Sequence, residues 1–384
     1  MERIRRYEEP PSYEEFLHNH LLPNEPAIIG PALTAHWRAR HDWVVPTDHV
    51  THELQPRCKP NYAFLRQQFA AAKVTVADCL ERDFTDQKRC DMTFNEFADL
   101  WEKDSGRYYL KDWHFVHDMN EKEAPFYEVP DIFADDWLNE YWLQKTDGEK
   151  DDYRFSYMGG HATFTPFHAD VYRSYSWSSN ICGIKKWTLF PPGQEELYKD
   201  RLGNTVYDIR SADPKQFPHF EKAVRFVVYQ HDGETLFVPS GWFHQVENIG
   251  ATISINHNWL NACNLKFSYP SLAKDLNDVR RSIDDIRPLT TPLEFTDQCQ
   301  QLLLMHSGWN WTILLQLLQH IACRLSQQST CLLQPDAQFQ KEQIRVLMSA
   351  LRQEPLFSDF VTEHDLTSCV KTIDELECAV TLSE

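Results

Sequence analysis

Ten cysteines occur in the chain, yet none stands in a C-x-x-C pair. A zinc ribbon or a dithiol redox motif is therefore not expected. The opening MERIRRYEEPPSYEEFL holds charge but lacks the apolar core of a secretory leader. Scattered, unpaired cysteines then imply a reducing, cytoplasmic setting with free and mostly buried thiols. No apolar run is long enough to span a bilayer; TILLQLLQHIAC, residues 312–323, is too short and is interrupted by polar side chains. Positive charge is also scarce, with 38 Lys and Arg against 57 Asp and Glu and a net charge of −19. Broad binding to a phosphate backbone needs clustered Lys and Arg, so no nucleic-acid partner is expected. The acidic balance fits a basic partner or plain solubility. There is no repeat of fixed period and no low-complexity tract.

What is present is globular in character: 384 residues, 42% hydrophobic and 13% aromatic. Three regions differ in texture. Residues 1–105 read as helices and loops, with capping-box patterns at Ser12/Glu15 and Thr93/Glu96. Residues 106–262 change to short aromatic and β-branched runs, such as GRYYLKDWHF and GETLFVPSGWFHQVENIGATISINHNWL, punctuated by Gly and Pro. That rhythm predicts an antiparallel sandwich or barrel, with a helical insert at Asp131–Lys145. Residues 263–384 return to helical spacing, in LAKDLNDVRRSIDDI, FTDQCQQLLLMHSGWNW, ILLQLLQHIACRLSQQ and FQKEQIRVLMSALRQ.

The candidate chemistry begins at His168-Ala169-Asp170. The tripeptide alone decides nothing. With 17 histidines and 57 acids, roughly two or three H-x-acid matches arise by chance, and a second stands at His219-Phe220-Glu221. Context favours the first. Residues i and i+2 of a strand share a face, so His168 and Asp170 could meet one metal from inside a barrel. His244, just past the Pro239-Ser240-Gly241 turn, supplies a third ligand from a later strand. Two His and one carboxylate leave open the positions that non-haem Fe(II) chemistry requires. His219 sits in a polar stretch and reads as a surface residue. In GIKKWTLFPP, alternation puts Lys185 with Trp187 and Leu189. A lysine on that face is costly to bury unless an anion meets it; the alternative is an exposed edge strand. Trp177, Trp187, Trp242 and Cys182 read as core.

The order H-x-D, G-x-K-x-W, P-x-G-W-x-H and N-x-x-x-x-I-x-x-N resembles the JmjC-domain dioxygenases, over roughly residues 106–262. The resemblance implies an α+β fold: a distorted double-stranded β-helix of cupin or jelly-roll type at 106–262, flanked by N-terminal (1–105) and C-terminal (263–384) helical regions. It implies Fe(II), 2-oxoglutarate and O2 as cofactor and cosubstrates. His168, Asp170 and His244 match the family's iron ligands. Lys185 matches the lysine that meets the distal carboxylate of 2-oxoglutarate, and Cys182, at an earlier alternative position, could not pair with a carboxylate. Thr165 and Tyr109 match hydroxyls of the same pocket. Asn256 falls where many members place Thr or Ser, and Ser178 where relatives often have Asn, with Asn180 two residues on. No catalytic residue beyond these is implied.

Within the family, the whole chain most resembles small cytosolic members associated with lysine hydroxylation of the translation termination factor. That protein is the implied partner. The alternatives are a demethylase or RNA-modifying oxygenase on the same scaffold, or a non-catalytic β-helix module. The absence of a Cys/His reader module weighs against a chromatin demethylase. The block Leu302–Met305 is expected to be buried all round. It would pack within the chain, favouring a monomer, or across a homodimer in which Leu314 and Leu318 take part.

Overall fold

The computed structural model describes residues 4–47, 52–103, 106–119, 125–145, 151–327 and 333–378. The chain divides into two compact units. The first comprises residues 1–130, 151–170 and 176–258, and the second residues 131–150, 171–175 and 259–384.

The first unit is built on strands β1 (Arg5–Tyr7), β2 (Ala27–Ile29), β3 (Val44–Pro46), β4 (Cys58–Pro60), β5 (Lys73–Asp83), β6 (Asp86–Thr93), β7 (Tyr108–Trp113), β8 (Arg154–Gly159), β9 (Phe164–His168), β10 (Tyr175–Phe190), β11 (Phe226–Gln230), β12 (Thr235–Val238) and β13 (Phe243–Trp259). Eleven of these join one sheet in the order β1-β2-β12-β10-β13-β8-β7-β5-β6, with β11 beside β10 and β9 beside β13; β3 and β4 form a separate pair.

Two long strands shape this sheet by changing partners midway. β10 pairs with β12 over Ser176–Ser179 and with β11 over Lys185–Leu189. Between the two pairings lies Gly183, at φ +81°, where a Cβ would stand 2.4 Å from the Ala251 carbonyl oxygen. Only glycine fits that bend. Asn180 Nδ2 braces it by donating to the Gly183 carbonyl at 2.7 Å. β13 likewise pairs with β9 over His244–Glu247 and with β8 over Thr252–His257. β10 is buried on both faces for nearly its whole length, so it is interior and not an edge. Trp177, Trp187, Trp242 and Cys182 are all buried core residues.

Both expected N-terminal helices form. Ser12 caps Tyr13–Phe16 by accepting from Glu15 N, and Thr93 with Glu96 makes a complete capping box on Phe94–Glu102. The same region also contributes strands, where the sequence reading has only helices and loops. The hairpin β5–β6 is the clearest case. Val74 and Val76 are buried while Lys73 and Thr75 are exposed, a period-two pattern. The charged run Glu81-Arg82-Asp83 just beyond it masks that pattern, because the strand ends extend into solvent.

The second unit is helical: Trp137–Gln144, capped by Asp136, and then Leu265–Ser282, Pro292–Ser307, Trp311–Ser326, Ala337–Leu351, Phe357–Glu363 and Thr367–Cys378. The expectation for Leu302–Met305 is corrected here. Only Leu303 is buried, while Leu304 is exposed and Met305 is 83% exposed. Phe295, Cys299 and Leu303 lie four residues apart on the inward stripe of Pro292–Ser307, which leaves Leu304 and Met305 on the other side. Leu314 and Leu318 are fully buried in Trp311–Ser326. They are core residues of this unit and not a surface open to a second copy. Among the described residues, no helix is long and apolar enough to cross a membrane.

Candidate metal and cosubstrate site

β9 and β13 run antiparallel with His168 directly opposite His244. Cross-strand partners project to the same side, and the two imidazole centroids lie 4.4 Å apart. A bulge between His244 and Val246 ends the regular register immediately beyond the pair. Asp170 arrives differently from the sequence expectation. β9 stops at His168, so the carboxylate is not the i+2 residue of a strand. It lies past the strand end, before a turn in which Tyr172 and Arg173 have positive φ. Ser176 Oγ, on β10, donates to Asp170 Oδ2 at 2.7 Å and fixes the carboxylate. One ligand atom from each of His168, Asp170 and His244 then lies within 4.8 Å of the others.

The hydrogen bonds around the triad set its tautomers. His168 Nδ1 lies 2.8 Å from the Pro166 carbonyl, and His244 Nδ1 lies 2.9 Å from the Trp242 carbonyl. A carbonyl can only accept, so each Nδ1 carries the proton and each Nε2 keeps its lone pair. Burial and the neighbouring His244 lower the pKa of His168. Two imidazoles with one carboxylate suit a divalent ion of the iron type.

A second group of side chains surrounds Lys185. This residue is 1% exposed, and its Nζ meets the Tyr109 hydroxyl at 3.3 Å and lies 5.4 Å from the Tyr157 ring centroid. Among the described residues, no carboxylate pairs with it. Burial alone pushes its pKa down to about 7. A buried ammonium without a counter-ion fits the carboxylate of a dicarboxylate cosubstrate. Tyr109 is buried, and burial raises its pKa; nearby Asn248 donates from Nδ2 to Thr163 Oγ1 at 2.9 Å. Thr165 sits within β9 opposite Val246, so it shapes a strand and not a turn. Gly159 makes room for this group, because a Cβ there would lie 2.5 Å from Tyr109 Cδ2.

The structure thus brings together His168, Asp170 and His244, and separately Lys185, Tyr109 and Thr165. Asn256 takes a different partner: Ser178 Oγ donates to its Oδ1 at 3.0 Å. Asn180 serves the β10 bend. His219 is exposed and precedes a short turn at Phe220–Lys222. Sequence reasoning missed Ser176, Asn248 and Tyr157. Tyr157 had a detectable signal, since Phe155, Tyr157 and Gly159 alternate along β8. Ser176 had none, because its partner Asp170 lies across a turn. His114, Asp151 and Asp152 also cluster, but Arg154 already pairs with Asp152 at 2.9 Å and His114 with its other oxygen at 2.8 Å.

This jelly-roll sheet, with its two-histidine, one-carboxylate centre beside a buried lysine, places the chain in the cupin-like JmjC family of 2-oxoglutarate- and iron-dependent oxygenases. The family model for the cupin-like domain matches residues 13–264. Among individual relatives, the chain is 44% identical to the arginine-specific demethylase JMJ20 of Arabidopsis thaliana, over 78% of this chain and 65% of the relative. It is 40% identical to the 2-oxoglutarate and iron-dependent oxygenase JMJD4 of Danio rerio, over 81% of this chain and 72% of the relative. Against the JMJD4 of Homo sapiens it is 36% identical, over 81% of this chain and 73% of the relative. The chain therefore spans about two thirds to three quarters of the length of these curated relatives. Iron and 2-oxoglutarate are the cofactors that the JMJD4 relatives' names specify.

Proposed function

We propose that the protein is an Fe(II)- and 2-oxoglutarate-dependent protein hydroxylase that oxidises a lysine side-chain carbon of a translation termination factor, in the cytoplasm. The observation that carries the oxygenase reading is the orphan cation Lys185 on the same long strand as Ser176, which orients Asp170. Likeness to the JMJD4 group supports the choice of substrate.

Iron and 2-oxoglutarate, when bound, supply an oxidant made from O2 as the cosubstrate loses CO2 and becomes succinate. The chain's part is positioning. His168 and His244 would offer their Nε2 lone pairs, held in orientation by the Pro166 and Trp242 carbonyls. Asp170 would offer Oδ1 while Ser176 holds Oδ2. Lys185 would give a charge-assisted hydrogen bond to the distal carboxylate of 2-oxoglutarate, with the hydroxyls of Tyr109 and Thr165 alongside. Asn256, on the same strand as His244 and held by Ser178, would be a further side chain offered to the cosubstrate. Trp187, buried and 5.4 Å from the His244 ring, packs against that flank.

The test is mass spectrometry of a recombinant termination factor after incubation with the protein, Fe(II) and 2-oxoglutarate. A gain of one oxygen atom on a lysine-containing peptide supports the reading. A second reading, arginine demethylation, is favoured by the likeness to the plant relative. It would instead show loss of a methylene from a methylated arginine peptide.

A further inference from the structure

Two cysteines far apart in sequence lie side by side in the first unit. Cys58 opens β4 and is half-buried; Cys182, in β10, is buried. Cys58 Sγ donates to the Ile181 carbonyl at 3.7 Å, the residue just before Cys182. The Cys182 thiol in turn donates to the Ala251 carbonyl at 3.8 Å, and Cys58 is among the neighbours that raise the Cys182 pKa, so the two side chains are close.

Both segments are held in place. Arg57 N donates to Asp232 Oδ2 at 2.6 Å, and β4 is paired with β3 through Lys59 and Val45. Cys182 is flanked by the constrained Gly183 bend. The thiols therefore meet through ordered backbone on both sides. Among the described residues, no third ligand atom completes a metal site with them.

We propose that Cys58 and Cys182 form a disulfide when the protein meets a low-molecular-weight disulfide such as oxidised glutathione. The link would tie β4 to the β10 bend, three residues before Lys185. Cys58 is the accessible partner and attacks first. Its thiolate bonds to one glutathione sulfur, the glutathione S–S bond breaks, and one glutathione thiolate leaves. The Cys182 sulfur then bonds to Cys58 Sγ. The mixed disulfide breaks, and the Cys182 proton passes to the second departing glutathione thiolate. Two protein thiols lose two electrons, and one glutathione disulfide becomes two thiols. Burial raises the Cys182 pKa well above its ordinary value, so little of it is thiolate and the second step relies on its closeness to the mixed disulfide.

The test equilibrates the whole chain in glutathione redox buffers, quenches with acid, alkylates the free thiols and maps peptides. A Cys58–Cys182 linked peptide should appear as the buffer becomes oxidising and vanish with dithiothreitol. The melting temperature should rise with it, because the link closes a long loop. Cys58→Ser should abolish both the link and the rise. Cys182→Ala should leave Cys58 as a persistent mixed disulfide with glutathione. The proposal is overturned if Cys58 and Cys182 remain alkylated while other cysteines oxidise, or if the links formed join other pairs. A melting rise that survives in Cys58→Ser also overturns it. Should Cys182→Ala fail to fold, the Cys58→Ser comparison decides alone.

Discussion

His168 and His244 are direct cross-strand partners, the last residue of β9 against the second residue of β13. Their proximity follows from sheet register and not from loop conformation. A register slip of one residue would turn His168 to the opposite face. The bulge after His244 confines the regular pairing to this point, so the proposed metal centre depends on the β9–β13 register.

Ser176→Ala should loosen Asp170 without removing a ligand. Loss of such a supporting hydrogen bond typically weakens metal affinity about 10–100-fold. Titration with Fe(II) under anaerobic conditions should show that loss, with an unchanged far-ultraviolet spectrum. An unaltered affinity would mean that Ser176 does not orient the carboxylate.

Lys185→Ala should raise the 2-oxoglutarate requirement sharply, since losing one partner of a buried charge pair costs on the order of 2–5 kcal/mol. Lys185→Arg should also be impaired, because its fork is longer and planar. Fe(II) binding should persist in both. Equal 2-oxoglutarate affinity in Lys185→Ala and the parent would remove the lysine from the pocket.

The same lysine gives a pH dependence of defined sign. Its pKa is lowered to about 7 in the absence of an anion. Above that pH the native chain binds fewer protons than the unfolded chain, so its contribution to stability rises between pH 7 and the ordinary lysine value. Binding of 2-oxoglutarate needs the charged form and must take up a proton in that window. Affinity for 2-oxoglutarate should therefore fall by about tenfold per pH unit above pH 7. Calorimetry in buffers of different ionisation enthalpy should detect the uptake, and Lys185→Met should lack it.

Gly159→Ala should displace Tyr109, because the added Cβ would lie 2.5 Å from Tyr109 Cδ2 and 2.6 Å from Thr163 Oγ1. The expected result is weaker 2-oxoglutarate binding with Fe(II) binding retained. Matching loss of both would point to general damage of the sheet.

Leu318→Asp and Met305→Asp separate core from surface in the helical unit. Leu318 is fully buried, so an uncompensated carboxylate there should destabilise by about 4 kcal/mol or more. Met305 is exposed, and its substitution should be within about 0.5 kcal/mol of neutral. Urea melts read both effects. If Met305→Asp also changed a dimeric sedimentation coefficient to a monomeric one, that exposed residue would belong to a subunit interface.

The sequence made much of this legible, for physical reasons that differ by residue. The capping box at Thr93 and Glu96 and the helical stripes after residue 263 are local, so spacing reveals them. His168, His244 and Lys185 are polar residues inside apolar strand patterns, which is what draws attention to them. Asp170 joins His168 and His244 from beyond the end of β9, so period-two reasoning grouped these three residues through a geometry the chain does not adopt. Ser176 and Asn248 are brought in by tertiary pairing, which no window of sequence contains. Leu302–Met305 shows the converse: four apolar residues in a row imply full burial, but the helix has only one inward stripe and leaves Met305 outside it.

The most direct measurement is iron stoichiometry together with succinate production from 2-oxoglutarate, compared between the parent protein, His168→Ala, Asp170→Ala and His219→Ala. Loss of both iron and succinate in His168→Ala and Asp170→Ala, with His219→Ala unaffected and all folds intact, is the expected result. Parent-like iron content and succinate yield in Asp170→Ala would contradict the assignment of the metal centre.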